Sequence, residues 1–347
     1  MEIINKNRKG YLDIAKAIGI IIVLINHIEL SLGRANQFLG VFFVSEFFVL
    51  SGMTFHRKAG ETLRSFAVKK AKRLLLPYAV YSAFYLVWYT LRSITSGTYA
   101  LSDFGKKLAG CIYARTYLFP AREHKVYLME IMNAPMWFLP ALFVALVVYY
   151  MISVWLGEKK KWGVFAALGI ALICHYAVPI LLPWSIDTAM AMLVLLYAGE
   201  RLAEKDYITT TRKHVWVMPM MLLAFLMITM VNGSGNISVG DYGRSMLLFL
   251  ISSFLGTFLC IMLSFFIEKY LHFLAKVFMI IGVNTMDILC LHLFVFALMQ
   301  TVLGGFKVPA DLWIFKLIII IAGIIIPVIV VKGCRFILEL GNRNKGN

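Results

Sequence analysis

Charge is what this sequence has least of. Asp, Glu, Lys and Arg make up 15% of the 347 residues, where soluble domains carry about a quarter. Hydrophobic residues make up 61%, more than one water-facing core can hide, so lipid is the natural solvent for this chain. Cysteine is sparse and scattered. Cys111, Cys174, Cys260, Cys290 and Cys334 share no CxxC-type spacing, so no metal-ligand pattern can be read from them. No Walker loop, HExxH helix or GxSxG elbow occurs, which leaves ATP-driven and metal-dependent chemistry without a motif; no metal is expected. An internal repeat is also missing, which weakens a transporter built from inverted halves. No polar linker or low-complexity tract divides the chain. It reads as a single membrane-embedded domain over 1–347, with 341–347 as a disordered tail.

Acidic residues are scarce relative to basic ones, 18 against 34, for a net charge of +16. The basic residues sit in short clusters between apolar runs, which is a topology pattern rather than a nucleic-acid groove. Lys6, Arg8 and Lys9 precede an apolar stretch too long for a signal peptide and without a small-residue cleavage site, so it reads as a retained first helix. Runs long enough to cross a bilayer fall at 12–31, 38–55, 74–94, 135–156, 162–181, 184–202, 215–231, 245–267, 277–302 and 313–331. The expected fold is therefore an all-α polytopic helical bundle of about ten transmembrane helices. With the N-terminus inside, the segments rich in Lys and Arg, among them 57–73, 159–161 and 201–213, all fall on the cytoplasmic side. Both termini are then cytoplasmic, in a bacterial cell membrane. The one long outer loop, 95–134, holds most of the remaining basic residues.

Ionisable groups at membrane depth are costly and mark function by default. The first helix holds Asp13, Lys16, Asn26, His27 and Glu29. Lys16 and His27 point within about 20° of one direction and lie roughly 16 Å apart along the axis. That spacing suits a long donor entering from the cytoplasm, its phosphates near Lys16 and its thioester near His27. Acetyl-CoA fits the description. A neutral His27 could take the proton of an acceptor hydroxyl or attack the thioester itself. The plainer reading has Lys16 snorkelling and pairing with Asp13 one turn away.

Glu46, midway along the second helix, is a candidate to orient His27 or bind the acceptor, or a partner for another buried polar group. Lys70 and Arg73, one turn apart before the third helix, could grip CoA phosphates or simply set topology. His292 reaches a depth similar to His27 and shares a helix face with Thr285, close to Asn284 and Asp287. Asp187, Asn284 and Trp137 are candidates to meet a sugar acceptor. Gly52, in FFVLSG, reads as a packing residue.

These residues resemble a known family, the type 3 membrane acyltransferases, which O-acetylate sugars, surface polysaccharides and antibiotic precursors. The most specific element is GYLDIAKAIGIIIVLINH at 10–27, with a basic residue, Lys16, eleven positions before His27. FFVLSG at 47–52, KKAKRLLLPY at 69–78, MWFLPALF at 136–143, LPWSID at 182–187 and IGVNTMDILCLH at 281–292 also match. The last runs are similar to the fucose 4-O-acetylase-like branch. Two positions depart from the family pattern: Lys70 stands where arginine is common, and Glu46 where an apolar residue is common. The resemblance implies a transferase that moves an acetyl group from cytoplasmic acetyl-CoA to a hydroxyl of a cell-surface or lipid-linked sugar or polysaccharide. It implies His27 at the centre of the chemistry, with Glu46 and His292 as further catalytic candidates and Lys16, Lys70 and Arg73 on the donor. The competing reading is a glycan or lipid-linked sugar exporter that leaves its substrate unmodified, or a non-catalytic assembly subunit.

Overall fold

The computed structural model describes residues 9–120, 127–129, 131–205, 216–305, 309 and 312–343. Secondary structure among them is helical, apart from two isolated bridges at Tyr117–Tyr127 and Asn236–Asp241. In lipid a backbone must satisfy its own hydrogen bonds, so even runs of Ile and Val, weak helix formers in water, become helical. Six stretches are long and apolar enough to cross a membrane, and the bent pair 35–53 makes a seventh. This establishes a helical membrane protein, with fewer such stretches than the ten apolar runs.

The differences have local causes. The run 38–55 is two helices, α1 aside: α2 (Ala35–Phe42) and α3 (Ser45–Met53), bent by 41°. Helix α8 (Ile186–Glu204) carries Asp187, Glu200, Arg201 and Glu204. Helix α9 (Val217–Asn232) is only 16 residues long. The run 277–302 is interrupted at Asn284, whose side chain donates to the Ile280 carbonyl at 2.6 Å. It divides into α11 (His272–Val283) and α12 (Thr285–Gly305). Conversely, 133–177 passes as one apolar stretch of 45 residues, but a straight helix of that length would be about 67 Å long, over twice a hydrocarbon core. Gly157 breaks it at φ 51°, ψ −120° into α6 (Phe138–Leu156) and α7 (Lys160–Ala177). Trp184, just beyond α7, meets Phe143 near the start of α6 with ring centroids 6.2 Å apart, so α7 runs back along α6.

The chain forms two compact units. The first comprises Met1–Asn36 and Cys260–Asn347. In it α1 (Gly10–His27) packs on α11, and α12 packs on α13 (Trp313–Arg343). A Cβ on Gly282 would overlap the Asp13 carbonyl, so glycine is what lets α1 and α11 touch backbone to backbone. Gly323 of α13 lies against Phe296 and Leu24, which brings α1, α12 and α13 together. The helix α13 continues to Arg343; 344–347, the end of the expected tail, lie outside the described residues.

The second unit is Gln37–Leu259. Here α3 crosses α8 through a reciprocal glycine pair: a Cβ on Gly52 would strike the Leu196 carbonyl, and one on Gly199 the Val49 carbonyl. Gly52 is thus a packing residue. Helix α4 (Leu63–Thr95) packs on α6, and α6 and α7 both pack on α8. Buried Glu200 accepts from Tyr149 Oη at 2.5 Å and pairs with Lys160, tying α6, α7 and α8 at one end. The first half of α10 (Met246–Tyr270) closes on α2 through Ser253, whose hydroxyl donates to the Val41 carbonyl at 2.8 Å. Residues 206–215, which include the basic pair Arg212 and Lys213, lie outside the described residues.

Candidate active site

His27 is the last helical residue of α1. The chain beyond it turns through Glu29, which holds a left-handed φ of 53°. Leu30 N–H donates to the Ile25 carbonyl and Glu29 N–H to the Asn26 carbonyl, the paired bonds of a Schellman cap. A left-handed glutamate in place of the usual glycine costs about 1 kcal/mol. The ammonium of Lys316, from α13, donates to the Glu29 carbonyl at 2.7 Å and lies at the negative end of the α1 dipole. The cap therefore fixes where α1 stops and which way the His27 ring leaves the helix.

From α12, His292 approaches His27. Its Nε2 lies 3.2 Å from His27 Nδ1, and the ring centroids are 4.9 Å apart. The two differ in exposure: His292 is completely buried, and His27 is exposed. Phe296 covers His292 edge-on at 5.6 Å.

The hydrogen bonds assign the tautomers. His292 Nδ1 lies 3.0 Å from the Ile288 carbonyl and 2.9 Å from the Leu289 carbonyl. Carbonyl oxygens only accept, so Nδ1 carries the proton. In a neutral His292, Nε2 then holds a lone pair and accepts from His27 Nδ1–H. That leaves Nε2 of His27 with its own lone pair. Such a nitrogen can take a proton or attack an electrophile, while His292 receives the proton from the other side of the ring.

The remaining candidates are placed as follows. Lys16 bonds Asp13 at 3.1 Å, the one-turn pairing open to it from sequence. Asn284 forms the α11–α12 break, and Thr285 Oγ1 donates to the Gly282 carbonyl at 3.3 Å. Asp287 pairs with Arg335 of α13 at 3.3 Å. Glu46 is fully buried in the first turn of α3. Lys70 is half-buried, with its ammonium 5.2 Å from the Phe66 ring centre, and Arg73 is exposed. Asp187 and Trp137 both face one residue that sequence reasoning did not single out, Arg115.

Arg115 has no exposed surface. Its Nη1 and Nη2 each donate to an Asp187 carboxylate oxygen at 3.2 Å, and Nη1 also reaches Thr188 Oγ1 at 3.1 Å. Trp137 lies 6.0 Å from the guanidinium. Burial pushes the guanidinium below its usual range, and the Asp187 carboxylate opposes that shift. Beside it Trp184 and Ser185 take left-handed φ values of 55° and 53°, and this strained turn delivers Asp187 at the start of α8. Nothing in the local pattern of the 95–134 loop marks Arg115 as the basic residue that folds inward. Lys316 was equally silent, because a lysine beside an apolar run reads as topology.

An acyltransferase domain family model matches residues 9–332 of the chain. No curated protein and no solved structure shows significant similarity to it.

Proposed function

Since the chain belongs to the acyltransferase 3 family, we propose that it is a membrane O-acetyltransferase of the bacterial cell membrane. The donor is acetyl-CoA, and the acceptor is a hydroxyl of a sugar or polysaccharide. The observation that carries this reading is the 3.2 Å contact between His292 Nε2 and His27 Nδ1, because it engages Nδ1 of His27 and leaves Nε2 with its lone pair.

In the proposed reaction, Nε2 of His27 takes the acceptor hydroxyl proton as the oxygen attacks the thioester carbonyl carbon. The C–S bond breaks, CoA leaves as thiolate, and the proton held on His27 returns to it. Charge that develops on the His27 ring is shared through Nδ1–H with His292, whose own Nδ1–H is held by two carbonyl dipoles. Lys70 and Arg73 are the proposed contacts for the donor's phosphates; their exchange for glutamate should raise the KM for acetyl-CoA with little change in kcat, and an unaltered KM removes them from the donor site.

The test follows labelled acetyl-CoA in inside-out vesicles, comparing wild type with His27→Ala. Label should enter the glycan in wild type only, with the variant reduced by about 10³-fold at equal membrane insertion. Equal transfer by an inserted His27→Ala protein refutes the role of His27. Export of unmodified glycan by the wild type favours the exporter reading instead.

A further inference from the structure

Helix α4 carries a second cluster of cations beside the Lys70–Arg73 pair. At its N-terminal end is an open groove of about 610 Å³ lined by the exposed residues Thr62, Arg64, Ser65, Val68, Lys69 and Lys72. Lys69 is paired with Glu61 at 3.3 Å, whereas Arg64 and Lys72 have no carboxylate partner among the described residues. Three cations and two hydroxyl side chains around one groove are suited to a phosphate.

The same helix face continues as an apolar stripe. At 100° per residue, Lys69, Leu76, Val80 and Val87 point within about 20° of one direction. Leu76, Val80 and Val87 are 58%, 56% and 58% exposed. Only 22% of the spanning window of α4 is buried, so this face is free for hydrocarbon. From Leu76 to Val87 is about 16 Å along the axis, roughly one leaflet of the hydrocarbon core. A groove lined by three cations thus stands at the head of a strip as long as an acyl chain. Of the pair assigned to the donor, Lys70 lies on another side of the helix, turned toward Phe66, and Arg73, about 40° round from Lys69, borders the stripe.

We propose that this is a binding site for an anionic phospholipid, with the headgroup phosphate among Arg64, Lys69 and Lys72 and one acyl chain along Leu76, Val80 and Val87. Juxtamembrane Lys and Arg attract anionic lipid at about fivefold in affinity per cation, and the groove concentrates three of them. A soluble phosphate would use the groove but gain nothing from the stripe.

The test uses the full-length protein in neutral detergent, with bound lipid counted by native mass spectrometry. The probes are phosphatidylglycerol, phosphatidylcholine of the same chains, and glycerophosphoglycerol, the same headgroup without chains. Phosphatidylglycerol should bind at least tenfold more tightly than phosphatidylcholine, and the chainless headgroup should compete poorly. Arg64→Gln with Lys72→Gln should weaken phosphatidylglycerol by about 25-fold; if that pair impairs insertion, Lys72→Gln alone should weaken it by about fivefold. Equal retention of both lipids, or unchanged binding by the variants, overturns the site. Competition by the chainless headgroup as strong as by the intact lipid overturns the lipid assignment in favour of a soluble phosphate ligand.

Discussion

The two polar centres, His27–His292 in one unit and Arg115–Asp187 in the other, are built from similar materials to opposite ends. Each joins residues far apart in sequence, and each contains one side chain with no exposed surface. At Arg115 both terminal nitrogens are engaged, and among the described residues only Nε lacks a partner. The ion pair is used up internally, as a structural tie must be, because an unpaired charge there would carry its full desolvation cost. At the histidines the bonding stops one atom short. His292 is saturated by two carbonyls and its partner ring, and His27 keeps the lone pair of Nε2. Buried polar groups that satisfy one another hold a fold together; a chain of them that ends in an unused lone pair at an exposed ring can do chemistry.

Breaking each centre should therefore give different phenotypes. Arg115→Met leaves Asp187 without its guanidinium and should cost about 3 kcal/mol of stability, read as a lowered thermal midpoint in detergent. Adding Asp187→Asn should recover part of that loss; full wild-type stability of Arg115→Met alone would mean that the pair contributes nothing. His292→Ala should reduce transfer by about 10²-fold in protein that still inserts, and the space vacated at this fully buried site should itself cost about 2 kcal/mol. His292→Gln, which can still accept from His27 Nδ1–H through its side-chain oxygen, should retain more activity than the alanine variant. If the two are equally impaired, orientation of His27 is not what His292 supplies. The double change His27→Ala, His292→Ala should be no worse than His27→Ala, since the residues act as a unit.

Smaller effects sharpen the same contrast. Gly282→Ala pushes α1 away from α11 at the Asp13 carbonyl and should cost about 1–3 kcal/mol. Because it shifts the helix that carries His27, it should lower kcat as well as the thermal midpoint, whereas Gly52→Ala in the other unit should lower the midpoint. Lys316→Met removes the bond to the Glu29 carbonyl. That bond is worth about 1 kcal/mol, so a small fall in the thermal midpoint together with a fall of a few-fold in activity is the expected outcome.

Much of this was legible in the residues because it depends on local repetition. Apolar runs specify helices in lipid whatever their neighbours are, and a period of 3.6 residues is enough to place Lys16 and His27 on one face of α1. The small residue of FFVLSG announced a close helix contact, and the crossing at Gly199 supplies it. The pairing of Lys16 with Asp13 was likewise available from a one-turn spacing.

What only the tertiary structure decided is which distant groups meet. His27 and His292 are 265 residues apart in sequence, and no local period relates them; their contact depends on how α1 and α12 are laid against α13 around Gly323. The inward turn of Arg115 needs the strained Trp184–Ser185 corner to present Asp187, and the cap at Glu29 needs Lys316. Helix formation is a matter of neighbours along the chain, so the sequence by itself determined that the apolar runs are helical, though not where they break. The state of a lone pair is set by atoms from two helices far apart in sequence, α1 and α12, so the tautomer of His27 was decided by packing.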